Sequence, residues 1–176
     1  KESLRPSILK ESGADLLIYG MGEKPITELC NMVRRGIPFA SLTNIPQTAV
    51  IRPADEPYAT NKKWKTIELA SHEECLKNPK SHAANFRIVE EESNSIEAAK
   101  LTQHIGNELL IINPQYAPLT TKELDAIYEL PFTRMPHPRY KGKEIPAYNM
   151  IRHSVTMHRG CFGGCAFCTI SAHQGK

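Results

Sequence analysis

Three cysteines near the end of this 176-residue chain constrain its fold more than any other feature. Cys161, Cys165 and Cys168 stand in the run HRGCFGGCAFC, with the spacing C-x3-C-x2-C. This spacing lets one loop direct three thiolates at a single metal centre. Gly163 and Gly164 lie between the first two cysteines, where the absence of a Cβ allows a tight turn. We therefore interpret the segment as a metal-binding loop.

Three thiolates leave the identity of the metal open. A 4Fe-4S cluster normally takes four cysteine ligands, so three would leave one iron with an exchangeable position, as in catalytic metal sites. Alternatively, His173 follows Cys168 at C-x4-H spacing, and a structural Cys3His zinc site is possible. Residues 145–176 contain no Asp or Glu, which suits any thiolate-rich site. The cluster is favoured, and zinc stays open.

The cysteine run resembles the signature of the radical S-adenosylmethionine (SAM) superfamily, C-x3-C-x-aromatic-C, with Phe167 in the aromatic position. The resemblance implies that Cys161, Cys165 and Cys168 bind a 4Fe-4S cluster and that Phe167 lies against the adenine of SAM. It also implies that an external electron donor drives reductive cleavage of SAM, and that the resulting 5'-deoxyadenosyl radical acts on an unknown substrate. The competing class is a non-catalytic zinc-binding structural or interaction module.

Two longer stretches resemble the YgiQ-type subfamily of radical-SAM proteins. They are ADLLIYGMGEKPITELCNMVRRG and PFTRMPHPRYKGKEIPAYNMIRHSVTMHRGCFGGCAFCTISAHQGK. The resemblance implies an internal fragment that runs from the end of a Rossmann-like, cobalamin-binding-like domain to the cluster loop of a radical-SAM barrel. The other SAM-binding strands of the family follow that loop. We therefore expect a radical-SAM enzyme as the complete protein and no activity from the fragment alone.

The order of the predicted elements indicates an α/β fold with four parts. These are the C-terminal part of a Rossmann-like domain (1–52), a mixed helical and strand region (53–130), a proline-rich connecting arm (131–152) and the start of an incomplete βα barrel with the cluster loop (153–176). The first boundary depends on the proline- and charge-rich stretch from Pro53 to Lys65. A strand from Met150 to Met157 is predicted to deliver the cysteines, because barrel strands carry site residues at their C-terminal ends.

Apolar periodicity and capping signals predict the individual elements. Strands are predicted at 15–20, 48–52, 66–69 and 109–112. Helices are predicted from Pro25 to Gly36, after the Ser71–Glu74 capping box and over 79–92. A further helix is predicted after Asn94, with these residues on one face: Ala98, Leu101, Thr102 and Ile105. The last predicted helix begins at the Thr120–Glu123 capping box and ends before Pro131. The glycine turn at 20–22 is a possible phosphate or cofactor cradle, although such turns more often serve packing.

Composition and charge narrow the classes of protein to which the chain could belong. No apolar stretch approaches the length of a membrane span and no signal-peptide pattern begins at Lys1, so we predict a cytoplasmic protein without a membrane partner. The net charge of +3 is too small and dispersed to indicate nucleic acid binding. Five cysteines, three of them clustered, indicate metal binding in a reducing compartment. The basic side chains of the proline-rich arm could face a substrate, but a surface linker is favoured.

Overall fold

The computed structural model describes residues 3–161, 163, 165, 167, 168 and 170. The contacts between residues divide the chain into two compact units. The first unit comprises Lys1–Ala117 together with Cys161–Lys176, and the second comprises Pro118–Gly160. No helix in the described part of the chain combines the length and the apolar character needed to cross a membrane.

The first unit is built on a five-stranded mixed sheet. Its strands are β1 (Leu17–Ile18), β2 (Thr48–Pro53), β3 (Thr66–Leu69), β4 (Lys100–Ile105) and β5 (Glu108–Ile112). Its helices are α1 (Ile8–Ser12), α2 (Glu23–Arg34), α3 (His72–Lys77) and α4 (Pro79–Ser93), with a short 3-10 helix at Phe39–Ser41. The strand order is β1-β2-β5-β4-β3. Only β3 and β4 pair in parallel, and they are connected through α3 and α4.

The predicted α/β class is confirmed in its general form, but the Rossmann-like detail is not. A Rossmann sheet is mostly parallel, whereas β1 runs antiparallel to β2, with Leu17 opposite Ala49. The second strand of the first predicted part (β2) and the first strand of the next part (β3) also belong to one sheet. The division of the chain into four parts stays a prediction.

The predicted helix after Asn94 is wrong, because residues 100–105 form strand β4. Asn94 instead ends α4. Over so short a window, the apolar spacing of Leu101 and Ile105 does not separate a helix from a buried strand. Pairing decides the outcome: β4 pairs with β3 on one side and with β5 on the other. The turn into β5 contains Gly106, at a φ of 58° that glycine adopts without strain.

Both faces of the sheet are covered. One face carries an apolar cluster, which contains Leu9 from α1 and Leu17, Ala49, Ile51, Ile105, Leu110 and Ile112 from the strands. Because side chains alternate along a strand, the intervening residues point to the other face. That face is also buried but largely polar, with Thr48, Val50, Lys100, Thr102, Ile111 and Asn113. The sheet therefore has an apolar interior on one side and a largely polar interior on the other.

The second unit contains two helices, α5 (Thr121–Tyr128) and α6 (Pro146–Ile151), and a short 3-10 helix at Pro138–Tyr140. The predicted capping box begins α5: the N–H of Glu123 donates to Thr120 Oγ1 at 3.3 Å, and the N–H of Thr120 donates to Glu123 Oε2 at 2.7 Å. The helix ends before Pro131, as predicted.

Within the proline-rich arm predicted over 131–152, Pro146 begins α6, because proline fits the first turn of a helix. One prediction for the second unit is wrong. The strand predicted from Met150 to Met157 is absent, since α6 extends to Ile151 and residues 154–159 have no regular structure. A strand is stable only beside a partner, and no strand in the described part of the chain pairs with this segment. The predicted first strand of a barrel is therefore not confirmed.

Candidate metal centre and its surroundings

The cysteine loop turns back on itself around Gly163. The N–H of Gly163 donates to Cys161 Sγ at 3.4 Å, and the Cys165 thiol donates to the carbonyl of Gly163 at 3.9 Å. The N–H of Cys168 donates to the carbonyl of Cys165 at 2.9 Å. Cys161 and Cys165 are exposed and Cys168 is half-buried. All three thiols are therefore within one short turn and within reach of solvent.

Gly163 leaves a small space between two of the sulfur atoms. A Cβ at this position would lie 3.4 Å from Cys161 Sγ and 3.6 Å from Cys165 Sγ. Among the residues that the structure describes, no three metal-binding side chains are gathered around one point. The structure thus brings two of the three predicted ligands to one glycine and does not gather all three. Ligand loops commonly gain their final order from the metal.

The donor chemistry of this loop fits an iron–sulfur cluster. Thiolates are soft ligands that select Fe–S clusters or zinc over hard cations, and the three cysteines provide no oxygen or nitrogen ligand. Phe167, predicted to lie against adenine, is 89% exposed, and its role stays a prediction. His173, the fourth ligand of the alternative zinc site, lies outside the described residues.

The segment that leads to the loop is anchored within the second unit. The guanidinium of Arg159 lies 5.3 Å from the ring centroid of Tyr128, at the end of α5. An arginine over an aromatic face at this distance is a cation–π contact. Sequence reasoning did not predict this contact, because a strand was assigned where the chain is irregular.

In the first unit, a glutamine side chain occupies the turn between β1 and α2, which the sequence marked as a possible phosphate cradle. Gln47 Nε2 donates to the carbonyls of Tyr19 at 2.6 Å and Met21 at 2.5 Å. A Cβ at Gly20 would lie 3.3 Å from Gln47 Nε2. The glycine therefore makes room for an internal amide, which supports the packing role of the turn. No sequence signal indicates this contact, since Gln47 is distant from the turn along the chain.

A buried hydrogen-bond network continues from this turn into the sheet. The hydroxyl of Tyr19 donates to the carbonyl of Asn113, and burial raises the pKa of the Tyr19 hydroxyl well above its usual range. Asn113 Nδ2 donates to the carbonyls of Thr43 at 2.9 Å and Ile45 at 3.0 Å, and to Thr48 Oγ1 at 3.1 Å. Because hydrogen-bonded buried polar groups hold a defined geometry, these bonds join the turn after β1 to the segment before β2 and the end of β5, while Asn113 Oδ1 is buried without a partner among the described residues.

These observations define an α/β protein with a thiol-rich turn suited to a metal cluster. The chain belongs to the family described as Radical SAM N-terminal, whose model matches residues 1–154. The match covers the sheet and most of the second unit and ends before the three cysteines. The predicted radical-SAM resemblance is confirmed at the level of the family.

The relatives are UPF0313 proteins. The chain is 54% identical over 189 residues to one from Bacteroides thetaiotaomicron, covering 100% of this chain and 30% of the relative. It is 51% identical over 176 residues to one from Porphyromonas gingivalis, covering 100% of this chain and 27% of the relative. It is 46% identical over 178 residues to one from Geobacter sulfurreducens, covering 100% of this chain and 28% of the relative. The chain thus spans less than a third of the length of these curated relatives. No solved structure matches it.

Proposed function

We propose that the chain is part of a radical-SAM enzyme in which Cys161, Cys165 and Cys168 hold a 4Fe-4S cluster with one iron open to SAM. A cluster held there would supply the electron for reductive cleavage of SAM to methionine and a 5'-deoxyadenosyl radical, which would take a hydrogen atom from a substrate. The observation that carries the proposal is the pair of thiols flanking Gly163. Membership in the Radical SAM N-terminal family supports it.

The residues of this chain contribute to such a site in two ways. The N–H of Gly163 points at Cys161 Sγ, and a hydrogen bond to a ligating sulfur favours the reduced, more negative cluster. The ring of Phe167 is free to stack on the adenine of SAM, since it is almost fully exposed. The electron comes from an external donor, and a reducing cytoplasm suits the open thiols.

The first experiment measures iron, sulfide and SAM cleavage in the full-length protein after anaerobic reconstitution. Replacing Cys161, Cys165 or Cys168 by Ala should abolish cluster retention and the release of 5'-deoxyadenosine, measured by chromatography. Cys30→Ala is the matched control, because Cys30 is an exposed cysteine of α2. Equal loss of iron from the control, or colourless protein with one zinc per chain, would contradict the proposal.

The second experiment tests the space at Gly163. Gly163→Ala should lower the iron content of the reconstituted protein, because the added methyl group would lie between two ligating sulfurs. Gly22→Ala is the control: neither glycine has a positive φ, and the Cβ at Gly22 would meet only Ile18 Cγ2, at 3.5 Å. If both variants retain the same iron as the unmodified protein, Gly163 has no role in the cluster site.

A further inference from the structure

The second unit contains a cavity with an unusual lining. Its volume is about 360 Å³, and it is lined by Arg134, Tyr148, Ile151, Arg152, His153 and Ser154. This volume falls within the range of small-molecule sites, roughly 300–1,000 Å³. The hydroxyls of Tyr148 and Ser154 donate to the backbone carbonyls of Arg134 and Ile151, and the side chains of Arg134, Arg152 and His153 are the other donors of the lining. No carboxylate is among the described lining residues. The cavity is therefore suited to a ligand that accepts hydrogen bonds.

The charge of the surrounding chain points to an anion. Between residues 130 and 160 the sequence has one carboxylate, Glu144, and these cationic side chains: Arg134, Arg139, Lys141, Lys143, Arg152 and Arg159. In the part of the chain that the structure describes, neither arginine of the cavity forms an ion pair with a carboxylate. Two arginines in the lining of one cavity, without an ion-pair partner in the described part of the chain, create a positive potential that attracts anions.

The backbone at Arg134 is held in a costly conformation. Arg134 has a φ of 57°, and the left-handed region costs a non-glycine residue about 1–2 kcal/mol. The hydroxyl of Tyr148, in α6, donates to the carbonyl of Arg134 at 3.0 Å and stabilises this turn. Backbone strain of this kind concentrates at ligand sites, where it positions a functional side chain. A glycine would fit this turn without strain, so the arginine side chain is the feature that needs explanation.

We propose that this cavity binds the anionic group, a phosphate or a carboxylate, of a small-molecule substrate. Arginine matches both groups, because its planar fork forms two parallel hydrogen bonds to a pair of oxygens. Arg134 and Arg152, the residue that ends α6, hold the anion. We infer anion binding from the cavity and its lining residues alone. The inference that the anion is part of the substrate rests on the proposed function.

Isothermal titration calorimetry of the full-length protein with inorganic phosphate, and separately with succinate, tests the proposal. Arg134→Gly and Arg152→Gln should each weaken binding by about tenfold or more, which corresponds to the loss of one charge-assisted contact. Glycine adopts the φ of residue 134 without strain, so the melting temperature of Arg134→Gly should not fall. Arg139→Gln is the control, because the guanidinium of Arg139 lies 4.9 Å from the ring of Tyr140 and does not line the cavity.

Each outcome decides the proposal. Saturable binding of phosphate alone indicates a phosphate ester, and binding of succinate alone indicates a carboxylate. The proposal is overturned if neither ligand binds, or if Arg139→Gln weakens binding as much as the two cavity variants do, since that result indicates general attraction to a basic surface. Because the titration needs no cluster, anion binding without SAM cleavage would refute only the proposed function, and SAM cleavage without anion binding would refute only this site.

Discussion

The two units of the chain differ in how their residues are buried. In the first unit the centre of the sheet is closed to solvent, and Ile111 of β5 is 0% exposed. In the second unit no residue from 118 to 160 is buried. Its large apolar side chains are instead exposed: Leu130, Phe132, Met135, Met150, Ile151, Val155 and Met157. The first unit thus has an interior of its own, and the second has none.

The difference follows from the lengths and partners of the elements. Strands β2, β4 and β5 each pair along their length and are covered on both faces. Helices α5 and α6 have eight and six residues, and helices this short are unstable in water unless they pack against something else. We therefore expect mutations to reveal a cooperative core in the first unit only.

The largest effect should come from truncating the core. Ile111→Ala should lower the free energy of unfolding by about 2–5 kcal/mol, because it removes apolar contacts and leaves a cavity. Met150→Ala in the second unit should change it by less than about 0.5 kcal/mol, since Met150 is 85% exposed. Urea denaturation, followed by far-ultraviolet circular dichroism, measures both. Equal losses of unfolding free energy from the two substitutions would show that the first unit does not have a more tightly packed core than the second.

A smaller effect should follow from breaking the polar interior. Asn113→Ala removes the amide whose two Nδ2 hydrogens are shared among three acceptors, and it leaves the carbonyls of Thr43 and Ile45 buried without this donor. The expected loss is about 1–3 kcal/mol. Asn149→Ala is the matched control, because Asn149 Nδ2 donates only to the exposed Glu144, at 3.3 Å. If the same denaturation assay finds no loss for Asn113→Ala, then water replaces the amide and the network does not stabilise the first unit.

Breaking the capping box of α5 should destabilise this helix and leave the sheet of the first unit unaffected. Thr120→Ala removes the hydroxyl that accepts from the N–H of Glu123 and should destabilise the helix by about 1 kcal/mol. Hydrogen exchange of the amides from 121 to 128 should accelerate about fivefold, while the sheet of the first unit stays protected. Thr121→Ala, one residue into the helix, should leave exchange in α5 unchanged or slower, because alanine favours helices. Faster exchange in the sheet as well would mean that the units unfold together.

The smallest effect concerns pH. Hydrogen bonds from its own backbone N–H and from the N–H of Gly106, at 2.9 Å, lower the pKa of Glu73 below its ordinary value of 4.5. A carboxyl whose pKa is lower in the folded state stabilises the fold above about pH 4.5, and this contribution is lost as the pH falls through the folded pKa. Glu73→Gln should therefore reduce the loss of stability on acidification. If Glu73→Gln loses as much stability on acidification as the unmodified protein does, the assignment is contradicted.

Several signals that act within one helical turn were read correctly from the sequence, although the helix start predicted at Asn94 was not. The capping box at Thr120 and Glu123, the Ser71 cap of α3, where the N–H of Glu74 donates to Ser71 Oγ at 3.1 Å, and the end of α5 before Pro131 all appear in the structure. Their partners are three or four residues apart, so the local sequence contains the whole interaction. The assignment of the three cysteines as ligands of one metal centre stays a prediction.

Signals that depend on distant partners were misread or missed. Residues 100–105 form a strand because β3 and β5 lie on either side of them, and residues 150–157 do not form one because no described strand pairs with them. The hydrogen bonds from Gln47 to the turn between β1 and α2 connect residues that are distant along the chain. The cavity beside Arg134 is likewise lined by residues from separate segments.

The sequence by itself determined the α/β class, the family and the candidate cluster ligands, since composition, element order and ligand spacing are properties of the chain. Only the tertiary structure decided which strands pair, which polar groups are buried and which basic side chains share a cavity. The physical reason is that a hydrogen bond across a sheet, or the potential at a cavity, depends on atoms that come together only when the chain folds.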